Sequence, residues 1–133
     1  MTAFLDPPEW SLDRERAGAV VVPVAYDATS TWVKGADRGP AAMLEASGQV
    51  EWLDVETETE PYRRGIATDD AITHEGSPDG LAEVVEQAVG AVLDHGQFPM
   101  VLGGEHSVSI GAIRAAASRA EARGKRLTVV SAA

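Results

Sequence analysis

Short apolar runs alternate along the chain with segments in which apolar residues recur every three or four positions. The runs are short and in part β-branched, which is typical of strands buried on both faces of a parallel sheet. They occupy residues 19–24, 100–102 and 127–130. The order strand, helix, strand, helix, strand implies right-handed crossovers. We therefore expect an α/β fold with three α/β/α layers and a mostly parallel sheet, formed by a single domain over residues 1–133.

Two long helices are predicted between these strands. Ser77-Pro78-Asp79 is a helix start signal, and Gly96 ends the helix as a C-terminal glycine. Its apolar residues share one face: Leu81, Val84, Val85, Ala88 and Val92. The second helix covers residues 108–123 and ends at Gly124. Its expected inward positions are Ile110, Ile113, Ala117 and Ala120.

The remaining segments give weaker patterns. Residues 1–17 combine prolines with a charged run and predict an irregular arm. Residues 26–37 have no periodicity and predict a loop. Gly39-Pro40 starts a short helix that stops at Gly48, and we expect this helix to face the sheet. The expected sheet-facing residues are Met43, Leu44 and Ser47. Residues 50–55 are weakly strand-like, and residues 61–66 predict a short edge strand.

The candidate chemistry follows the strand at residues 100–102. Gly103 and Gly104 lack Cβ atoms, so the backbone can turn sharply and another group can approach closely. Ser107 is a candidate cap for the next helix. Glu105 and His106 follow the carboxyl end of a strand, where open α/β sheets bind ligands. A neutral imidazole can bind a metal and a neighbouring carboxylate can orient it, although a helix start without a metal gives the same pattern.

Other acidic and histidine side chains have simpler explanations. Asp27 also follows a strand, so it is either a site residue or a turn residue and helix cap. His74 lies in a Gly- and Pro-containing connection, which favours a structural or solvent-facing role. His95 lies in the last turn of a helix, where its positive form interacts favourably with the helix dipole.

Composition excludes several classes of function. The chain of 133 residues has no cysteine, which excludes disulfides and thiolate metal sites. Its formal net charge of −10 disfavours nucleic acid as a partner and suits cationic small molecules, including guanidinium compounds. No apolar run is long enough to cross a membrane, and the first residues do not resemble a signal peptide. The expectation is a soluble cytoplasmic protein.

Two runs of residues carry a resemblance to a known family. Residues 102–107 read Leu-Gly-Gly-Glu-His-Ser; residues 26–47 begin Tyr-Asp-Ala-Thr-Ser-Thr-Trp and contain Lys-Gly-Ala-Asp-Arg-Gly-Pro-Ala-Ala. In this order they resemble the N-terminal part of the ureohydrolases, the arginase/agmatinase family, and especially its agmatinase-like branch. The resemblance implies an arginase-like fold and manganese-dependent hydrolysis of a guanidino group, with agmatine as substrate and putrescine and urea as products.

The resemblance also implies roles for individual residues. His106 would be a ligand of one of two Mn²⁺ ions, and Glu105 would polarise a ligand or a metal-bound water. Asp27 would help to shape the mouth of the site and is the possible substrate-binding residue. Intact members are expected to form homo-oligomers, as trimers or hexamers. Arginine, guanidinobutyrate and formiminoglutamate stay open as substrates.

The resemblance stops before the family's later metal motifs, Asp-Ala-His-x-Asp and Asp-x-Asp, so His106 alone has a counterpart among the ligands. We therefore expect an incomplete sheet and an inactive chain when it is alone. The alternative is a non-catalytic truncated remnant or interaction module. A nucleotide- or phosphate-binding domain that uses Gly103 and Gly104 is a third hypothesis. It lacks both glycine-rich fingerprints, and Glu105 would repel a phosphate.

Overall fold

The computed structural model describes residues 2–131. Within them, four strands form one sheet: β1 (Ala19–Ala25), β2 (Ile66–Thr68), β3 (Ile72–Thr73) and β4 (Phe98–Gly103). All pairings are parallel, and β1 is the central strand. β4 pairs along nearly the whole length of β1, so β2 and β3 share the opposite side of β1.

The central position of β1 in the sheet explains why the sequence of this strand is apolar throughout. The valines of β1 are completely or almost completely buried. A proline in a central strand removes a ladder hydrogen bond. β1 pairs with β2 as far as Val21 and with β3 from Val24, so Pro23 faces residues 69–71, which belong to neither strand. The strand therefore continues past Pro23 to Ala25.

The described part of the chain has three α-helices: α1 (Gly39–Ser47), α2 (Pro78–Asp94) and α3 (Ser109–Ala122). Short 3₁₀ helices occupy Glu9–Ser11, Ala36–Arg38, Pro61–Arg64 and His106–Val108. α1 connects β1 to β2, and α2 connects β3 to β4 on the other side of β1. Right-handed crossovers then place α1 and α2 on opposite faces of the sheet. α3 packs on α2, which gives the expected three-layer α/β/α arrangement.

α2 follows its prediction closely. The hydroxyl of Ser77 accepts a hydrogen bond from the amide of Gly80, and Gly96 has a φ of 74° after the helix. The buried face contains Leu81, Ala82, Val85, Val89 and Val92. The prediction that Val84 lies on this face is wrong: the helix turns Val84 away from the sheet and leaves it exposed.

The predicted inward face of α3 is wrong. Ile110 and Ile113 are exposed, and Ala117 and Ala120 are half-buried. The residues that pack against α2 are small ones: Gly111 and Ala115 are buried. A Cβ atom on Gly111 would lie 2.4 Å from the carbonyl oxygen of Ala82. The two helices therefore approach through small residues, and the larger isoleucines are left outside.

The weak pattern at residues 50–55 does not form the predicted strand. The segment consists of bends and turns, with one isolated antiparallel bridge between Asp54 and Thr59. Residues 61–66 are not an edge strand either, because a 3₁₀ helix occupies Pro61–Arg64 and β2 begins only at Ile66. In residues 50–55 the alternating apolar residues lack a neighbouring strand with which to pair.

Two further expectations fail, one for a predicted strand and one for a residue of α1. Residues 127–130 do not form a strand, and Val129 and Val130 are exposed, since no strand of the described residues pairs with them. In α1, Leu44 and Ser47 are buried as predicted, but Met43 is exposed. An apolar run alone therefore does not make a strand here.

Residues 2–17 are held to the sheet by polar contacts. The guanidinium of Arg14 donates to Asp69 at 2.6 Å and to the side-chain oxygen of Gln97 at 2.6 Å. The ring of Trp10 lies 6.0 Å from that of Tyr62. Within residues 2–131, no helix has both the length and the apolar character needed to span a membrane.

Candidate functional site

The double glycine lets two parts of the chain meet at the carboxyl ends of β1 and β4. A Cβ atom on Gly104 would lie 2.2 Å from the carbonyl oxygen of Tyr26, and one on Gly103 would lie 2.3 Å from Cγ2 of Val108. The amide of Glu105 donates to the carbonyl of Tyr26 at 3.2 Å. The close approach that the glycines allow is therefore made by the protein's own backbone and side chains.

The carboxylate of Glu105 joins the turn after β4 to the loop after β1. Oε2 accepts a hydrogen bond from the amide of Thr29 at 2.8 Å, and Oε1 accepts one from the Thr29 hydroxyl. Ser107 donates its hydroxyl to Oε1 at 2.6 Å. Ser107 therefore does not cap α3 as predicted, because its hydroxyl is taken up by Glu105.

Two opposing effects set the ionisation of Glu105. Burial raises the pKa of this carboxyl. The hydrogen bonds from Ser107 and Thr29, with those from the Thr29 and Ser30 amides, outweigh burial and hold the pKa below its ordinary value. The ionised carboxylate is the form that accepts these bonds. Glu105 thus carries a negative charge at neutral pH beside His106.

His106 lies at the rim of a cleft between these two segments. Its side chain is exposed, at the first position of the 3₁₀ helix that follows the glycine turn. The cleft has a volume of about 370 Å³. It is lined by residues 29–33 of the loop after β1 and by Glu105, His106 and Ser107. The structure therefore brings His106 and Glu105 together with the loop, at the strand ends where α/β sheets bind ligands.

Asp27 lies apart from that cleft. Its side chain is 6% exposed, and Oδ2 accepts hydrogen bonds from the amides of Gly35 at 2.5 Å and Ala36 at 3.1 Å. The Gly35 bond lowers the pKa of Asp27 against the effect of burial, and Ala36 and Lys34 lower it further. Asp27 thus binds the amides at the start of the 3₁₀ helix Ala36–Arg38 and holds the end of its own loop there.

A second cleft, of about 430 Å³, adjoins Asp27 on the side of β3. Its lining includes Lys34, His74 and Glu75. The ring of His74 packs near Tyr26, with 6.2 Å between the ring centres, and is half-buried, in keeping with a structural role. The substrate-binding role of Asp27 stays a prediction, as do the roles of His106 and Glu105.

Sequence reasoning missed Thr29 and Trp32 as parts of the site. Both lie in the loop after β1, which has no periodicity from which contacts can be predicted. The available signal was the apolar pair Trp32 and Val33 in an otherwise polar loop. Contiguous exposed apolar surface in a cleft is one indication of a ligand or partner site.

The described residues do not complete a manganese site. Within residues 2–131, no three or more His, Cys, Asp or Glu side chains are grouped so that they could hold a metal ion. Manganese prefers several oxygen ligands, and the oxygens of Glu105 are already occupied by Thr29 and Ser107. The exposed His106 could supply a single ligand, but the described residues alone do not fit the ion.

Comparisons of the sequence with protein families and with curated proteins both give matches. The sequence model of the Arginase family matches residues 17–132. The chain is 37% identical over 105 residues to the N(1)-aminopropylagmatine ureohydrolase of Synechocystis sp.. That match covers 74% of this chain and 34% of the relative, so the chain spans about a third of the length of the curated relatives it matches.

Solved structures give the same fold. The agmatine ureohydrolase of Thermoplasma volcanium superposes with a TM-score of 0.75 at 26% identity, over 86% of this chain and 38% of that protein. The Trypanosoma cruzi formiminoglutamase, solved with Mn²⁺, superposes with a TM-score of 0.68 at 26% identity, over 82% of this chain and 40% of that protein. The arginase-like architecture predicted from the sequence is thereby confirmed.

Proposed function

Because this chain belongs to the arginase family, we propose that the whole protein hydrolyses the guanidino group of agmatine, giving putrescine and urea. The observation that carries the proposal is the position of His106. Its imidazole is exposed at the carboxyl end of β4, in one cleft with the loop after β1.

The charges around the cleft support a cationic substrate. Glu105 contributes a carboxylate beside His106, and its lowered pKa keeps it ionised. The chain as a whole has a formal net charge of −10. A field of this sign attracts a guanidinium group and raises its local concentration.

Agmatine is the first choice of substrate because it has a positive charge at both ends. Two of the similar proteins are named for agmatine or its aminopropyl derivative, and one is a formiminoglutamase. The substrate of the last carries carboxylates, which the acidic chain would repel. Arginine, guanidinobutyrate and formiminoglutamate are therefore the competing substrates to be assayed.

Manganese dependence is part of the proposal. His106 would supply one ligand, since its ring is exposed and a neutral imidazole binds metals readily. Residues 2–131 do not form a complete site, so in this proposal the other ligands come from outside these residues. The support from relatives is the Mn²⁺ in the Trypanosoma cruzi formiminoglutamase structure.

The test measures urea released from agmatine, arginine and guanidinobutyrate, and formamide released from formiminoglutamate, by the purified whole protein with added Mn²⁺. His106→Ala should lower kcat/KM by about 100-fold or more and should lower the bound manganese, as loss of a ligand does. His95→Ala is the matched control, because His95 binds its own helix at the carbonyl of Ala91. Absence of urea from every guanidino substrate would overturn the proposal.

A non-catalytic role is the second candidate, favoured by the open edge of β4. Within the described residues β4 pairs only with β1, and an unpaired edge is a template for pairing with another chain. The discriminating assay uses the 133-residue chain alone with agmatine and Mn²⁺. Urea release well above buffer would refute the non-catalytic role, whereas capture of an intact homologue without turnover would support it.

We extend the proposal to the assembly of the whole protein as a trimer or hexamer. Exposed apolar side chains between residues 50 and 55 support a subunit contact, since Val50, Leu53 and Val55 are all exposed. Light scattering coupled to gel filtration would give the mass in solution. A monomer at working concentrations would contradict this part of the proposal.

A further inference from the structure

The loop after β1 presents an exposed tryptophan in the same cleft as His106. Trp32 is 94% exposed and its neighbour Val33 is 71% exposed. Both line the cleft with His106 and Glu105. Contiguous exposed apolar surface is one mark of a site for a ligand or partner, and here it lies inside a cleft. Trp32 is therefore the feature of the cleft that the proposed chemistry of His106 does not explain.

The loop around Trp32 is fixed at both ends. On one side, the amide of Thr29 is held by Glu105 at 2.8 Å. On the other, the amide of Gly35 is held by the buried Asp27 carboxylate at 2.5 Å. The ammonium of Lys34 adds a bond to the carbonyl of Asp27 at 2.8 Å. Trp32 is thus presented from a segment whose backbone is anchored on both sides, so the loop itself loses little entropy when the ring binds a ligand.

The cleft suits a small ligand with a positive end. Its volume of about 370 Å³ is within the range of small-molecule sites. Among the described residues that line it, the ionisable ones are Glu105 and His106, and none is a lysine or arginine. A ligand carboxylate therefore has no cationic side chain to pair with, apart from His106 itself. An ammonium group, in contrast, is attracted by the face of an indole ring.

We infer that Trp32 binds the aliphatic chain and the distal ammonium group of the substrate and so selects amine-ended over carboxylate-ended guanidino compounds. This inference rests on the proposed function, in which His106 marks the guanidino end. Trp32 contacts the part of the substrate that does not react. Its effect is on affinity for the amine end, and it takes no part in the hydrolysis.

Agmatine and 4-guanidinobutyrate form a matched pair of probes. They share the guanidino group and a short methylene spacer, and they differ in having an ammonium or a carboxylate at the far end. Trp32→Leu removes the aromatic face and keeps an apolar side chain, whereas Trp32→Phe keeps an aromatic face. Trp10→Phe is the control, since Trp10 packs near Tyr62 in the N-terminal arm.

The first measurement is a ¹⁵N NMR titration of the 133-residue chain, which has three indole N–H signals to assign with single Trp→Phe variants. Agmatine should shift the Trp32 signal, and 4-guanidinobutyrate should leave it in place. Calorimetry should show agmatine binding weakened by about 3- to 30-fold in Trp32→Leu, the range for cation–π contacts. Trp32→Phe should retain most of the affinity, and Trp10→Phe all of it.

Several results would overturn the inference. They are an unmoved Trp32 signal at millimolar agmatine, equal shifts with both probes, or unchanged affinity in Trp32→Leu. A Trp32 signal that shifts with protein concentration, together with a dimer mass, would instead assign the residue to contact with a second copy.

A second measurement separates this inference from the proposed function. In the whole protein, Trp32→Leu should raise KM for agmatine with little change in kcat. Urea release by Trp32→Leu with an unchanged KM for agmatine would contradict the inference and would still be consistent with the proposed function. Absence of urea from the parent protein would sink the proposed function.

Discussion

The amide of Thr29 donates to Oε2 of Glu105 at 2.8 Å, and its hydroxyl donates to Oε1 of the same carboxylate. One side chain after β4 thus fixes the loop after β1. The two segments lie 76 positions apart in the sequence. The cleft around His106 exists because these two segments are joined, so the contact is structural and also shapes the candidate site.

Replacement of Glu105 by glutamine should loosen this contact. The amide group keeps one acceptor oxygen and turns a donor toward Thr29 or Ser107. We expect a loss of about 1.5–3 kcal/mol in the free energy of unfolding, the range for hydrogen bonds to a charged group. Urea denaturation measures it, with Glu83→Gln on the exposed face of α2 as the control.

A double-mutant cycle with Thr29→Val then isolates the pair. Residues in direct contact show coupling energies of about 0.5–3 kcal/mol. If the effects of Glu105→Gln and Thr29→Val simply add, the two side chains do not interact in solution and the loop is held by other contacts.

Asp27 should make the free energy of unfolding depend on pH in the acidic range. The amide of Gly35 holds the pKa of Asp27 below its ordinary value in the folded state. A carboxylate whose pKa is lower in the folded state stabilises the fold at pH values above its unfolded pKa of about 4. This stabilisation is lost as the pH falls through the folded-state pKa. Asp27→Asn should therefore destabilise the chain at neutral pH.

The difference between wild type and Asp27→Asn should shrink below about pH 4, the unfolded value. The measurement is the free energy of unfolding against pH, with the exposed Asp70→Asn as the control. A difference between wild type and Asp27→Asn that stays constant down to the acid limit would show that the carboxylate charge is not what holds the loop.

Gly104 should tolerate no side chain. A Cβ atom would lie 2.2 Å from the carbonyl oxygen of Tyr26 and 3.0 Å from that of Ala36. Both obstacles are backbone, so Gly104→Ala should cost about 2–3 kcal/mol, as overpacking does. Gly90→Ala is the matched control: nothing lies within 4 Å of the added methyl in α2, and alanine should stabilise this helix by about 0.5–1 kcal/mol. Equal effects in thermal unfolding would contradict the tight turn.

Local patterns predicted the elements whose stability is set locally or by complete burial. Ser77 and Gly96 bracket α2 because a cap and a left-handed glycine act within one turn of the helix. The β1 pattern succeeds because that strand is buried on both faces. The family resemblance, which rests on residues 26–47 and 102–107, is confirmed by the Arginase family match.

The failures have a common physical cause. Residues 50–55 and 127–130 have strand-like patterns, but a strand forms only where a neighbour supplies its hydrogen bonds. The contacts of Thr29 were beyond prediction because a loop without periodicity does not specify its distant partner. The prediction for α3 was based on its large apolar residues, whereas the close packing of α2 and α3 depends on the small residue Gly111.

The α3 interface gives the sharpest test of this last point. Gly111→Ala places a Cβ atom 2.4 Å from the Ala82 carbonyl oxygen and 2.8 Å from the Glu86 amide nitrogen. The gain in helix propensity is about 1 kcal/mol, and the clash should exceed it, leaving a net loss of about 1–2 kcal/mol. Ile113→Ala, on the face the sequence pattern placed inward, should cost about 1 kcal/mol or less, because this side chain is 36% exposed and only partly buried.

Chemical denaturation of the two variants ranks the two faces directly. If the predicted isoleucine face were the packed one, Ile113→Ala would cost about 2–5 kcal/mol through the cavity it leaves, and Gly111→Ala would stabilise the helix. The opposite order is expected here, because Gly111 is buried against the backbone of α2 while Ile113 is exposed. The order of the two values therefore decides which face of α3 meets α2, whatever their absolute size.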